Sequence, residues 1–167
     1  AIANYLRPGH IVFGCNKEKA LLRVRDLFSS IPATYITMDL NSAEMTKHAI
    51  NAFLASSITF ANQLSDACGL SGAHFKQVTQ AMKHDPRIGN KAYIKAGVGF
   101  SGGTLGRDLR ILSQINTSRG GGTFPFFQEI WQHNRQRPKL LVYKMGRILG
   151  QFPQKTISFL GVTYKPG

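Results

Sequence analysis

Acidic residues are scarce in this chain, and so are sulfur nucleophiles. Its 167 residues hold 8 Asp and Glu against 21 Lys and Arg, a formal charge of +13. Attraction to an anion is therefore expected, whether nucleic acid, an acidic membrane surface or a phosphorylated small molecule. The basic residues are scattered in ones and twos, with no block of five like charges and no heptad-spaced basic helix, which removes support from tail-like or zipper-like nucleic-acid binding. Only two cysteines occur, Cys15 and Cys68. Neither lies in a C-x-x-C or Cys/His ligand spacing, so no metal site is expected and the thiols read as packed, in a reducing compartment. Runs of 18 apolar residues are missing, as is the basic segment plus apolar core of a secretory signal. The expectation is a soluble cytoplasmic protein without a membrane span. What is present, 43% hydrophobic and 10% aromatic residues, suffices for one well-buried core or two small lobes and excludes a disordered chain.

Taken in order, a turn at Pro8-Gly9 leads into an apolar strand, His10 to Cys15, and then into an amphipathic helix, Glu18 to Phe28. Pro32 closes the connection to a second strand, Thr34 to Met38. Two strands and a helix bury little by themselves, so this stretch reads as the end of a larger α/β sheet. A helix of unusual length is predicted from Asn41 to about Gly69, then a shorter one over Ala73 to Met82, and a turn at Asp85 to Gly89. A glycine-rich loop follows at Ala96 to Asp108, before helix resumes at Leu109 to Ile115. Ser118 to Phe124 reads as a flexible loop and Phe126 to Leu149 as a helical region that Pro138 interrupts or kinks. Thr156 to Leu160 reads as a strand opening another α/β segment. The chain as a whole reads as a fragment: α/β overall, mainly α in the centre, with partial Rossmann-like sheets at both ends. The expected boundaries are 1–40, 41–150 and 151–167.

The long helix organises the rest. Asn41 can cap it, with Glu44 placed as a capping-box acid. Lys47 and Asn51 fall at i and i+4, on one face, while Ala49, Ala52, Phe53 and Ala55 supply small or apolar material elsewhere. Two readings stay open for the pair: ordinary polar groups reaching water, or an ammonium and an amide converging on one oxygen.

The loop Ala96 to Asp108 carries five Gly in thirteen residues, a backbone that can approach a ligand and show amides to a phosphate. Gly97, Gly99 and Gly102 satisfy G-x-G-x-x-G, but the acid a dinucleotide site needs about 20 residues further on is missing from Asn116 to Thr123. A Walker A loop fails for want of the final Gly-Lys-Ser/Thr. A purely structural turn remains the alternative.

Four stretches, SAEMTKHAINAFLASSITFANQLSDAC, DPRIGNK, AGVGFSGGTLGRD and FLGVTYKPG, in this order and spacing, resemble the nucleotide-sugar dehydrogenases of the UDP-glucose and GDP-mannose dehydrogenase family. The resemblance covers nearly the whole chain. It implies the end of an NAD-binding Rossmann-like domain, a helical central domain for dimerisation and substrate binding, and the start of a UDP-sugar-binding domain. It further implies oxidation of a sugar primary alcohol through an aldehyde to a carboxylate, with two NAD reduced in succession. By the same resemblance Lys47 and Asn51 stabilise an oxyanion and position water, and Asp108 assists proton transfer. Asp108 taken alone would read as a helix cap. Tyr93, Ile94 and Lys95, leading to Gly97 and Gly99, resemble the sugar-nucleotide loop. Arg87 resembles an Arg that reaches the diphosphate across a homodimer interface, and Tyr164 and Lys165 an aromatic-Lys pair near the nucleotide.

One departure bears on chemistry. The family's loop reads GGSCFPKD, its Cys trapping the aldehyde; here the span is SGGTLGRD, with Thr104 at the Cys, Gly106 at the Pro and Arg107 at the Lys. A thiol is a few per cent thiolate at neutral pH, whereas a hydroxyl needs a dedicated base. Cys68 lies on the order of 30 Å along the helix from Lys47 at about 1.5 Å per residue, and Cys15 ends a strand, so neither substitutes. The resemblance thus implies a nucleotide-sugar dehydrogenase whose second oxidation is compromised; the alternative is a catalytically silent nucleotide-sugar-binding or oligomerisation module.

Overall fold

The structure is a computed structural model that describes residues 6–118, 120, 125–150, 154–158 and 160–161. The elements run β1 (His10–Gly14), α1 (Glu18–Phe28), β2 (Thr34–Met38), α2 (Leu40–Ser71), α3 (Phe75–His84), α4 (Gly103–Ser118) and α5 (Phe126–Leu149). Two compact units divide within α2, residues 1–50 and 51–167.

In the first unit β1 and β2 pair in parallel, from His10 opposite Thr34 to Gly14 opposite Met38, and α1 makes the crossover such a pair requires. The small core here is aromatic. Phe13 is buried, stacks on Tyr35 at 5.6 Å and meets Phe28 at 5.8 Å. The Tyr35 hydroxyl donates to the carbonyls of Phe28 and Ile31 at and just past the end of α1, where the Phe28 carbonyl also accepts from the Ile31 amide at 2.9 Å. Gly14 ends β1 because α2 begins against it: a Cβ there would lie 2.7 Å from the Ala43 methyl and 3.3 Å from Leu40 Cα.

The cap of α2 differs from the expected one. Asp39, two residues before Asn41, accepts from the Ser42 amide at 2.9 Å and the Ser42 hydroxyl at 2.6 Å. A carboxylate there satisfies an orphan N–H and favours the positive helix end more than a neutral amide does. The Ser42 hydroxyl and amide hold the Asp39 carboxyl below its ordinary range.

The second unit is helical. Ala52 and Ala55 of α2, Leu109 and Leu112 of α4 and Ile130 of α5 form its buried core, edged by Phe100, Leu105, Phe127 and Trp131. Alanines on α2 leave room for Leu109, which is fully buried. Gly106 serves the same purpose on α4, its bare Cα facing the Trp131 ring. Phe100 and the Arg110 guanidinium also reach that ring, with centroid distances of 6.4 and 5.8 Å.

Three further expectations are corrected. Helix α4 begins at Gly103, so the loop is shorter than expected and Asp108 lies inside the helix; it is no cap. Helix α5 is continuous through Pro138, so of the two expected effects of the proline, interruption or a kink, the interruption does not occur. The described residues of the expected strand Thr156–Leu160 carry no regular structure. A strand needs a neighbour for its backbone groups, and the sheet among the described residues consists of β1 and β2. Of the two thiols, Cys68 is buried as expected, whereas Cys15 is half-buried and donates to the Lys17 carbonyl at 3.1 Å. Among the described residues, no helix is long and apolar enough to cross a membrane, and no three His, Cys, Asp or Glu side chains cluster as a metal site.

Candidate active site

Asp108 is fully buried and Asn51 nearly so, at 0% and 5% exposure. The Asn51 amide donates to Asp108 Oδ2 at 2.5 Å, joining α2 to α4, while Arg107 Nε donates to Oδ1 at 2.9 Å with its own side chain largely exposed. A carboxylate out of water requires such donors. Helical spacing explains the rest of the arrangement. Lys47 stands one turn before Asn51 on the uninterrupted α2 and is exposed; Thr104 stands one turn before Asp108, exposed in the first turn of α4.

The expected ligand residues divide between two places. Arg87, Tyr93 and Ile94 line a cavity of about 730 Å³ together with Phe53, Leu54 and Phe60 of α2. Arg87 is bound in a fork by Asp85, with Nη2 to Oδ2 at 2.6 Å and Nε to Oδ1 at 3.0 Å. This contact raises the guanidinium's pKa and holds the Asp85 carboxyl below its usual range. Lys95 is exposed and does not line the cavity. Tyr164 and Lys165 lie outside the described residues.

Gly97 and Gly99 belong to the second place, with three residues that sequence reasoning missed. The Gly97 amide donates to Asn62 Oδ1 at 2.7 Å, and its carbonyl accepts from Arg137 Nε at 3.2 Å. Asn134 brackets Phe100, accepting from its amide and donating to its carbonyl, both at 2.8 Å. Gly99 has φ +106°, and a Cβ on it would lie 2.5 Å from Asn134 Oδ1. Its glycine thus admits the Asn134 carboxamide. Arg137 is paired with Asp66, which also binds Lys144 at 2.6 Å. Burial raises the Asp66 carboxyl, but hydrogen bonds from Lys144 and Arg137 outweigh it and the net shift is downward. His133 is pushed down by burial and by Arg137, against an opposing pull from Asp66. An Asn at 62, eleven residues and so three helical turns after Asn51 on α2, and an Asn and Arg three apart on α5, were the available sequence signals.

A sequence model of the UDP-glucose/GDP-mannose dehydrogenase family, central domain, matches residues 41–136, more than half of the chain. The chain is 34% identical over 166 residues to the UDP-glucose 6-dehydrogenase TuaD of Bacillus subtilis, covering 99% of this chain and 36% of that protein. It is 30% identical over 169 residues to the UDP-glucose 6-dehydrogenase of Rickettsia conorii, covering 100% of this chain and 39% of the relative. A UDP-glucose dehydrogenase structure from the archaeon Pyrobaculum islandicum superposes with a TM-score of 0.82 at 29% identity, over 90% of this chain and 34% of the other. The chain belongs to the UDP-glucose/GDP-mannose dehydrogenase family, and it spans little more than a third of the length of the curated relatives it matches.

Proposed function

We propose that the protein is a cytoplasmic nucleotide-sugar dehydrogenase, homodimeric through its central helices, that oxidises the C6 alcohol of a UDP-glucose-like substrate towards the uronate. The observation that carries this reading is the buried Asp108 carboxylate held by Asn51 across α2 and α4, with Lys47 and Thr104 each one turn away on those helices. Oxidising an alcohol puts negative charge on its oxygen as the hydroxyl proton leaves. Asn51 has two amide N–H donors, one engaged by Asp108, and its second joins the Lys47 ammonium in stabilising that oxygen. Asp108 assists the proton transfer. Thr104 supplies only a hydroxyl where a thiol would trap the aldehyde.

At the other end of the substrate, Arg87, Tyr93, Ile94 and Lys95, with Gly97 and Gly99, are assigned to the sugar nucleotide, and Tyr164 and Lys165 to its nucleotide portion. The basic charge of the chain suits an anionic diphosphate. NAD is the cofactor this reading gives the whole protein; none of the described residues is assigned to it. The division at 41 and 151, into the end of an NAD domain, a central domain and the start of a UDP-sugar domain, belongs to the same proposal.

The test is the NADH yield per UDP-glucose, and per related UDP-sugars, from the intact protein. Two NADH per sugar mean that Thr104 or water replaces the thiol, and one means an aldehyde-forming enzyme. None with any sugar, together with retained UDP-sugar binding, establishes the silent binding module that Thr104 otherwise favours. Lys47→Ala is expected to abolish turnover with the circular dichroism spectrum and melting curve preserved; unchanged turnover would remove Lys47 from its role.

A further inference from the structure

The segment Gly97–Phe100 is held at both ends by side chains from two helices. Asn62 of α2 takes the Gly97 amide and is itself only 2% exposed. Arg137 of α5 donates to the Gly97 carbonyl while paired with Asp66 of α2. Asn134, one turn before Arg137, satisfies both backbone groups of Phe100. Four backbone groups of a four-residue loop segment are thus committed to three polar side chains rather than to secondary structure or water. Glycine at 99 admits the carboxamide that closes the arrangement. Val98, between the two anchors, is exposed. A loop whose ends are tied and whose middle faces outward is set in shape before a ligand arrives, so ordering it costs nothing at the moment of binding.

We infer that Asn62, Asn134 and Arg137 are positioning residues that clamp the Gly97–Phe100 loop in its ligand-ready form, with Asn134 as the closing element. The inference rests on the nucleotide-sugar reading only for what the loop faces. Asn134 must be donor and acceptor at once, and this supplies a test that simple loss of packing does not mimic. In Asn134→Asp a carboxylate still accepts from the Phe100 amide but sets an oxygen against the Phe100 carbonyl; the neutral acid restores the donor. Facing a carbonyl raises the pKa of that carboxyl, while the Phe100 amide and the Arg137 guanidinium pull it down; acidification moves the side chain toward the neutral form that restores the donor.

The experiment measures UDP-glucose binding by calorimetry to the intact wild-type protein and to Asn134→Asp, at about pH 8 and about pH 5. Hydrogen exchange at the Phe100 amide is followed without ligand in the same samples. The wild type at each pH accounts for the charged neighbours Arg137, Asp66 and His133. The variant is expected to bind about tenfold more weakly than wild type at the higher pH, with faster Phe100 exchange, and to return to within about twofold at the lower. A folded variant that matches wild type at the higher pH, or whose Phe100 exchange is no faster than wild type there, overturns the clamp. If the wild type binds no UDP-glucose, the nucleotide-sugar reading fails and the exchange arm alone decides: Phe100 protection unchanged by the substitution overturns the clamp. Should Asn134→Asp not fold, Arg137→Lys, which keeps a charge for Asp66 but loses the Nε donor to Gly97, decides in its place. Binding several-fold weaker with faster Gly97 exchange supports the clamp, and wild-type behaviour overturns it.

Discussion

Gly106→Ala and Gly69→Ala make the same chemical change on two helices, and the structure assigns them opposite signs. Gly69 lies in α2 with nothing within 4 Å of where a Cβ would be. Alanine there gains helix propensity and narrows the unfolded ensemble, a stabilisation of about 0.5–1 kcal/mol. Gly106 lies in α4 and would gain the same amount, but its Cβ would sit 2.8 Å from Trp131 Cη2 and 3.0 Å from Cε3, with Cζ3 closer still. Ordinary carbon contacts begin near about 3.5 Å, so the indole must move. Such overpacking costs about 1–3 kcal/mol. Moving the ring also weakens its contacts with Arg110 and Phe100, each worth about 0.5–1 kcal/mol. The unfavourable terms exceed the propensity gain, leaving Gly106→Ala less stable by roughly 1–2 kcal/mol. Urea denaturation of the two variants beside wild type, followed by circular dichroism, measures both signs in one experiment. A Gly106→Ala protein as stable as wild type, in a series where Gly69→Ala is stabilised, would refute the close packing of α4 on Trp131.

Two further outcomes follow from the polar contacts. Asn51→Ala removes the amide that donates to the buried Asp108 carboxylate and is expected to lower stability by about 1.5–3 kcal/mol, together with turnover; a urea midpoint unchanged from wild type would show that the pair is not formed. Asp66 has its pKa lowered in the folded protein, so its contribution to stability is present above its unfolded value of about 4 and is lost as pH falls through the folded value. The stability gap between wild type and Asp66→Asn is therefore expected to be constant near neutrality and to shrink below about pH 4; a gap that widens on acidification would reverse the assignment.

Much of the architecture was legible because it is set locally. The spans of α1, β2 and α5 follow from apolar periodicity and Pro or Gly punctuation, and the structure reproduces their expected bounds. Lys47 and Asn51 share a face by helical spacing alone. Where local signals compete, the reading went astray: Asn41 and Asp39 both suit a cap, and the stronger acceptor that meets Ser42 prevailed. Asp108 looked like a cap because the glycines before it conceal where α4 begins.

Sequence by itself thus determined the mainly helical centre, the two strands flanking α1 and the order of the motifs, since propensity and period act within a few residues. Tertiary structure decided the rest. Asn51 meets Asp108 across 57 positions of sequence, Asn134 meets Phe100 across 34 and Arg137 meets Asp66 across 71. No periodicity encodes such partners; they arise when the alanines of α2 and the glycine of α4 let three helices close around one core, and the buried polar groups there must find one another because water is excluded.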